Sequence, residues 1–350
     1  MNRVFKFLGR DKDLSILGLV TTTVIVVLFL MLGSRLFSVV GLQSMSIQVS
    51  EFGFLALAMG LAMLVAGIDL SVVAAAGLAG VMAALTMSGE FIPVTPENET
   101  QVIILGVLVA LGTGLLTGLL NGVIIAKLSV PPILATLGTM ILYTGIGTAI
   151  TSGASVSLKV PSFAALATST LGPLPMVFVM LLASFILVSF ILTRTRFGRK
   201  IYLFGENEVA LRFSGIKSER VIIMTYAIIG LLVGLAAIVI IARANSMRVG
   251  FGESYLLQAI LVVVLAGFSP SGGKGRVLNL GVALVLLQVI STAMTAFAFS
   301  PYAKNIVWGG ILLTVMGMNR YLRARGPRIS RPEPPTETVA LALERSRRDV

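Results

Sequence analysis

Val221-Ile-Ile-Met-Thr-Tyr-Ala-Ile-Ile-Gly-Leu-Leu-Val-Gly-Leu-Ala-Ala-Ile-Val-Ile-Ile241 runs for 21 residues without a charge. A helix that crosses a bilayer needs about 20 mostly apolar residues, so this stretch places the chain in a membrane. The composition agrees. Of 350 residues, 56% are hydrophobic and 12% charged, and the mean hydropathy is +0.99. A soluble domain carries about twice that share of charge, and the polar surface left here is too small to coat a water-soluble globule. A soluble enzyme, a disordered regulator and a secreted disulfide scaffold are thereby excluded. The chain has no Cys and no His, which removes disulfides, thiolate nucleophiles, zinc-thiolate sites and the commonest general base.

Comparable runs lie at Leu14–Leu32, Ile47–Ala66, Leu70–Met87, Val102–Ala126, Ile133–Ile150, Leu174–Leu192, Tyr255–Phe268, Val277–Phe297 and Ile306–Met318. With Val221–Ile241 they predict an all-α membrane protein of about ten transmembrane helices. No small-x-small cleavage site follows the first run, so it reads as an uncleaved helix rather than a signal peptide. Tyr255–Phe268 is short and leads into Ser269-Pro-Ser-Gly-Gly-Lys-Gly-Arg276, the pattern of a broken or re-entrant segment.

Ten crossings put both termini on one side, and the basic residues then assign it. Of the 27 Lys and Arg, 22 fall on the terminus side and five on the other, while the 15 acids divide as 10 and 5. The whole net charge of +12 therefore sits on the terminus side, which the positive-inside rule makes cytoplasmic. Attraction to anionic lipid accounts for this charge, and nucleic-acid binding is not needed to explain it. The expected organisation is a cytoplasmic N-terminus over 1–13, a transmembrane permease domain over 14–319 with a cytoplasmic loop at 194–220, and a cytoplasmic tail over 320–350. That tail is basic, then Pro-rich, with room for a short helix near Val339–Arg347.

Two internal patterns stand out. Gly114, Gly118 and Gly122 recur every fourth residue, and Gly230 and Gly234 repeat the spacing; such stripes admit a neighbouring backbone, within one subunit or between two. Glu51 leads to Ala66-Gly67-Ile-Asp-Leu-Ser71, and Glu253 leads to Ala266-Gly267-Phe-Ser-Pro-Ser271. Duplicated halves, common in transporters, and coincidence in an Ala/Gly/Val-rich chain both fit this echo.

The loop 194–220 holds a legible short helix. Asn207 is suited to its start and Gly215 to its stop, and Val209, Ala210, Leu211 and Phe213 lie between them. Docking into another protein and lying on the bilayer surface both fit this pattern.

Three motifs resolve the choice by resemblance. Gly205-Glu-Asn-Glu-Val-Ala-Leu-Arg-Phe-Ser-Gly-Ile216 resembles the coupling segment G-x-N-x-x-A-A-x-x-S-G-I of ribose-type ABC importer permeases. Gly67-Ile-Asp-Leu-Ser71 matches their G-I-D-L-S. Asn121-Gly-Val-Ile-Ile-Ala-Lys-Leu-Ser-Val-Pro-Pro-Ile-Leu-Ala-Thr-Leu-Gly138 matches their N-G…K…P-P-F-I-A-T-L-G run. Order and spacing agree from about Ile47 to Met318. Two places differ: Val72-Val-Ala74 stands where the family has V-G-S, and Ala266-Gly-Phe-Ser-Pro-Ser271 stands where it has Gly-Gly-(Thr/Ser).

The resemblance implies a type II ABC importer-like permease fold in a bacterial inner membrane, with cytoplasmic N and C termini. It also implies a homodimer or pseudo-dimer of permeases, two cytoplasmic ABC ATPase subunits that bind ATP and Mg, and a periplasmic sugar-binding protein. The cargo would be a ribose-like pentose, a hexose or a related polyol. Gly205, Glu206, Asn207, Val209, Ala210, Leu211, Phe213, Ser214, Gly215 and Ile216 would couple the permease to the ATPase. The chain has no Walker loop: Gly272-Gly-Lys-Gly-Arg276 lacks the spacing and the Ser/Thr after Lys, so no cofactor is assigned to this chain, and no metal or catalytic residue.

Asp69 reads as the sole acid with apolar runs on both sides. It stands where the third span begins, placed either to cap that helix or to meet the solute. With Ser71, Asn121, Thr136, Thr139, Asn245 and Gln258 it completes the set of polar pathway residues, and Trp308 fits an interfacial anchor. Other functions weighed are a branched-chain amino acid or nucleoside permease of the same fold, and a proton-coupled secondary transporter using Asp69.

Overall fold

The computed structural model describes residues 12–33 and 37–325. Residues 1–11 of the expected N-terminus and 326–350 of the expected tail, including the helix anticipated near Val339–Arg347, lie outside the described residues. Residues up to Leu312 form one compact unit, and those from Leu313 a second.

Thirteen α-helices are present among the described residues: α1 (Lys12–Leu32), α2 (Val39–Leu64), α3 (Val72–Met87), α4 (Glu99–Lys127), α5 (Pro132–Thr151), α6 (Pro161–Thr168), α7 (Met176–Arg194), α8 (Arg196–Glu206), α9 (Glu208–Phe213), α10 (Ser218–Ala244), α11 (Glu253–Leu265), α12 (Val277–Ala296) and α13 (Pro301–Arg325). Six of them, α2, α4, α5, α7, α10 and α12, are long and apolar enough to cross a membrane. Each closes its own backbone hydrogen bonds, as hydrocarbon surroundings require. α3 and α11, with 16 and 13 residues, rise only about 24 and 20 Å, short of a hydrocarbon core of about 30 Å. Both adjoin the loops of the sequence echo, 65–71 and 266–276. α2 and α11 also end alike, with a left-handed residue at Ala66 in one and Gly267 in the other.

α10 and α4 form the spine. A Cβ on Gly118 would overlap the Tyr226 carbonyl and stand 2.8 Å from the Gly230 Cα, and one on Gly114 would stand 2.8 Å from the Gly234 nitrogen. The glycine stripes of the sequence therefore mate with each other inside one chain. They bring two backbones into direct contact, where dispersion and close packing replace the hydrophobic drive that lipid lacks. The opposite side of α4, with Ile104, Leu108 and Leu116, is exposed.

Helix termini gather at two ends of the first unit. One end carries α8 and α9, the C-termini of α2 and α4 and the N-termini of α5 and α10. At the other, the loop 152–175 is structured rather than loose. Its strand β1 (Val156–Ser157) pairs antiparallel with β4 (Ser246–Met247), and β2 (Thr170–Leu171) pairs with β3 (Leu174–Pro175). Val160 and Phe163 bury against Met87, Ile241 and Met247.

Candidate functional site

α8 and α9 are each started by a side chain. Thr195 Oγ1 accepts from the Gly198 amide at 3.0 Å, and Asn207 Oδ1 accepts from the Ala210 amide at 2.9 Å. Gly215, at φ +77°, takes the left-handed turn that ends the α9 segment. The sides of α9 have different fates. Leu211 is 3% exposed and seals the helix to the protein, whereas Val209 is 63% and Phe213 89% exposed. Ala210 and Ser214 are exposed as well, and Ile216 is half-buried. Val209 and Phe213 thus form the exposed apolar side of this short capped helix. Of the remaining residues of the expected coupling set, Gly205 and Glu206 end α8, just before the Asn207 cap.

Gly205 is instead the point where the segment meets the membrane helices. A Cβ there would overlap both the Gly273 amide nitrogen and the Leu64 carbonyl oxygen, and would lie 2.9 Å from the Gly272 carbonyl carbon. The Gly273 amide donates to the Leu64 carbonyl at 3.0 Å, and the Tyr202 hydroxyl donates to the Gly275 carbonyl at 2.9 Å. Burial pushes the Tyr202 pKa above its ordinary value, which keeps that donor protonated. Three backbones, those of α8, the α2 C-terminus and the loop 266–276, are thus clamped together. The sequence reading missed this role of Gly272-Gly-Lys-Gly275; its density of glycine marked close backbone approach. The Gly272 amide is committed to the Ser269 carbonyl and the Gly273 amide to Leu64, so these amides are not arranged as a phosphate cradle.

Next to the clamp, the Gly67–Ser71 motif folds into a buried polar knot. Asp69 Oδ1 accepts from the Ser71 amide at 2.9 Å and the Ser71 hydroxyl at 2.7 Å, an Asx turn at the head of α3. Asn121 Nδ2 donates to Ser71 Oγ at 2.8 Å. The Tyr143 hydroxyl donates to the Thr117 carbonyl at 2.9 Å, with Asn121 Oδ1 at 3.3 Å. Thr136 Oγ1 accepts from the Leu70 amide at 3.1 Å and donates to the Pro132 carbonyl at 2.8 Å; the Thr139 hydroxyl donates to the Thr136 carbonyl at 3.3 Å. Asp69, Ser71, Asn121, Thr136 and Thr139 are all buried.

The expected set of pathway residues therefore does not share one surface. Five form or adjoin the knot. Asn245 is the left-handed C-cap of α10, its carbonyl accepting from the Leu158 amide at 3.1 Å. Gln258 lines a separate polar cavity. Two further expectations are corrected. Asp69 is not the sole intramembrane acid, because Glu51 is buried inside α2 against Arg243. Trp308, at 1% exposure, is buried in protein rather than set at a lipid interface.

Two cavities meet the Gly67–Ser71 motif from opposite directions. A central one of about 480 Å³ is walled by Leu70, Val73 and Ala74 of the motif and α3, by Met140 and Thr144 of α5, and by Leu256 of α11. A second of about 440 Å³, on the end that carries α9, is walled by Val65, Ala66, Pro132, Gly205, Asn207 and Tyr226. Ala66 lines one cavity and Leu70 the other, so the segment 66–70, termed the septum, runs from one lining to the other beside the knot. Val73 and Ala74, where the permease pattern has Gly and Ser, add aliphatic surface to the central wall.

Among the described residues no group of three or more Asp, Glu, His or Cys could hold a metal ion. The apolar helices long enough to cross a bilayer are those of a multi-pass membrane protein, and the family match makes it a permease. The chain belongs to the family described as branched-chain amino acid transport system / permease component, which it matches over residues 41–316. It is a transport subunit and not an enzyme. It is 31% identical to the ribose import permease protein of Haemophilus influenzae, over 85% of this chain and 91% of that one. It is 31% identical to the galactose/methyl galactoside import permease protein of Salmonella typhimurium, over 77% of this chain and 83% of the other. The L-arabinose transport system permease protein of Escherichia coli is 29% identical, over 81% and 83%. No solved structure gives a significant match.

Proposed function

We propose that the chain is the membrane-spanning subunit of an ATP-driven sugar importer in a bacterial inner membrane. It crosses the bilayer about ten times in a type II permease fold, with residues 1–13 and 320–350 in the cytoplasm. Its partners are a second permease subunit, two ABC ATPase subunits that bind ATP and Mg, and a periplasmic binding protein that delivers a monosaccharide. The observation that carries this reading is the clamp at Gly205, which ties the partner-facing helix α9 to Leu64, two residues before the septum begins. When the ATPase pair closes, α9 is displaced, the α2 C-terminus and the 266–276 loop move with it, and the septum opens or shuts. ATP then biases two arrangements of packed helices through a rigid backbone contact.

Sugar is favoured over a branched-chain amino acid by the names of the relatives, although the family description names the latter. A proton-coupled carrier is a poorer fit, since Asp69 accepts from the amide and hydroxyl of Ser71 at the head of α3 and stands beside Asn121, a structural arrangement. Reconstitution tests the reading. Proteoliposomes holding the permease, its ATPase and its binding protein should accumulate a monosaccharide with ATP and not without. Uptake that ignores ATP and collapses with the proton gradient would refute it.

A further inference from the structure

At the end of the molecule away from α9, a third cavity of about 280 Å³ lies between α2, α10, α11, α12 and α13. Arg243 on its wall is 25 residues along α10 from Ser218, about 37 Å at the helical rise. The cavity backs onto the central one across α11: Glu253 and Leu256 line the central cavity, and Tyr255 and Gln258 line this one. The two differ in chemistry. The central wall is mostly apolar, with Thr144 and Glu253 among its polar members, whereas the outer one is built of amides, the Glu51–Arg243 pair, Lys304 and an indole.

Part of this outer lining is already satisfied. The buried Glu51 pairs with Arg243 at 2.5 Å and accepts from the Tyr255 hydroxyl. Gln288 Nε2 donates to Thr292 Oγ1 at 3.0 Å, and Lys304 Nζ donates to Thr295 Oγ1 at 2.7 Å. Other groups are left over. The half-buried side-chain amide of Gln258 makes no hydrogen bond among the described residues, and the exposed amide of Asn305 stands at the rim. The indole N–H of Trp308, a residue in the same wall, is buried with no acceptor. A buried donor without a partner is costly to the fold, so a wall that keeps one beside a free amide is shaped for a guest. The one carboxylate is paired with Arg243, the Lys304 ammonium is held by the Thr295 hydroxyl, and the remaining groups include amides that both donate and accept. The amides and the indole suit a solute with several hydroxyls, and Lys304 makes an anion such as phosphate the competitor that the test must separate. The indole and the Tyr255 ring add apolar surface beside polar atoms, matching the mixed faces of a sugar ring.

We propose that this outer cavity is a monosaccharide-binding station, which holds a neutral polyol beside the central cavity at the end opposite α9. The proposal rests on the sugar-import reading only for the identity of the solute. Trp308 is the single tryptophan of the chain, so its emission reports on this cavity alone. The full-length permease in lipid nanodiscs is titrated with D-ribose, D-galactose and L-arabinose, and with inorganic phosphate for comparison. A saturable emission change is expected with at least one sugar and none with phosphate. Gln258→Leu and Asn305→Leu should each weaken it at least tenfold, while Leu187→Ala on the exposed side of α7 leaves it within twofold. Three results would overturn the station: no saturable change with any sugar while binding-protein-dependent sugar uptake is intact, a response to phosphate alone, or an unchanged sugar response in both variants. Leucine accumulating where no sugar does is a different failure, that of the import reading itself.

Discussion

Gly205 and Gly273 touch backbone to backbone, so closely that a methyl group on Gly205 would overlap the Gly273 amide and, with it, the Leu64 carbonyl that this amide bonds. A contact between main chains has no rotamers to absorb motion, so the proposed coupling requires displacement of α8 and α9 to carry the end of α2 with it. Gly205→Ala is expected to separate the three backbones and uncouple them. ATP-driven uptake should fall at least tenfold while the ATPase still co-purifies and hydrolyses ATP. Measuring uptake and hydrolysis on the same proteoliposomes checks this; a normal ratio of the two contradicts it.

The exposed side of α9 makes a separate prediction. Phe213→Glu and Ala210→Glu change groups that face away from the protein, so both variants should insert and stay folded. Each should lose co-purification of the ATPase and, with it, uptake. Leu211→Ala removes a buried contact instead and should destabilise the permease by about 2–4 kcal/mol, seen as a lower unfolding midpoint in detergent.

The knot separates a structural from a proton-coupling role for Asp69. Asp69→Asn keeps an oxygen that can accept from the Ser71 amide and hydroxyl, and is expected to transport at a rate within a few-fold of the parent. Asp69→Ala leaves both Ser71 donors unpaired, a cost of about 1–3 kcal/mol, and should lower thermal stability. A stable Asp69→Asn protein with no transport would point to proton chemistry at this carboxyl.

The two glycine types on α4 should behave oppositely. Gly118→Ala drives a methyl into the Tyr226 carbonyl and is expected to cost about 1–3 kcal/mol by overpacking. Gly112 has nothing within 4 Å of an added Cβ, so Gly112→Ala should be neutral or stabilising by up to about 1 kcal/mol. Paired thermal-melt measurements decide it.

Much of this architecture was readable from residue order. Each of the ten apolar runs holds a helix, and six of these are long and apolar enough to cross a bilayer, where a helix satisfies its own backbone. Asn207 and Gly215 marked the ends of α9 because capping chemistry is local. The spacing of Gly114, Gly118 and Gly122 showed that a backbone could approach, but not which one; α10 supplies it from more than a hundred residues away. The polar residues were the hardest to place. Asp69 and Gln258 are both polar residues in apolar surroundings, yet one is locked in a knot and the other lines an outer cavity, since a side chain's facing depends on neighbours distant in sequence. Glu51 was overlooked because its partner, Arg243, lies on another helix, and Gly272–Gly275 because a glycine loop that resembles a phosphate site can equally be a seat for another backbone.

The most direct test follows the septum itself. Because the chain has no cysteine, Leu70→Cys places a single thiol at the end of the septum that lines the central cavity. Its labelling by a membrane-impermeant reagent from the cytoplasmic face can be timed in the assembled transporter, with and without ATP. The clamp predicts that ATP changes the labelling rate at least tenfold, and that Gly205→Val in the same background abolishes the change while ATP hydrolysis continues. An equal ATP-dependent change in both proteins would show that the septum is moved by some other route.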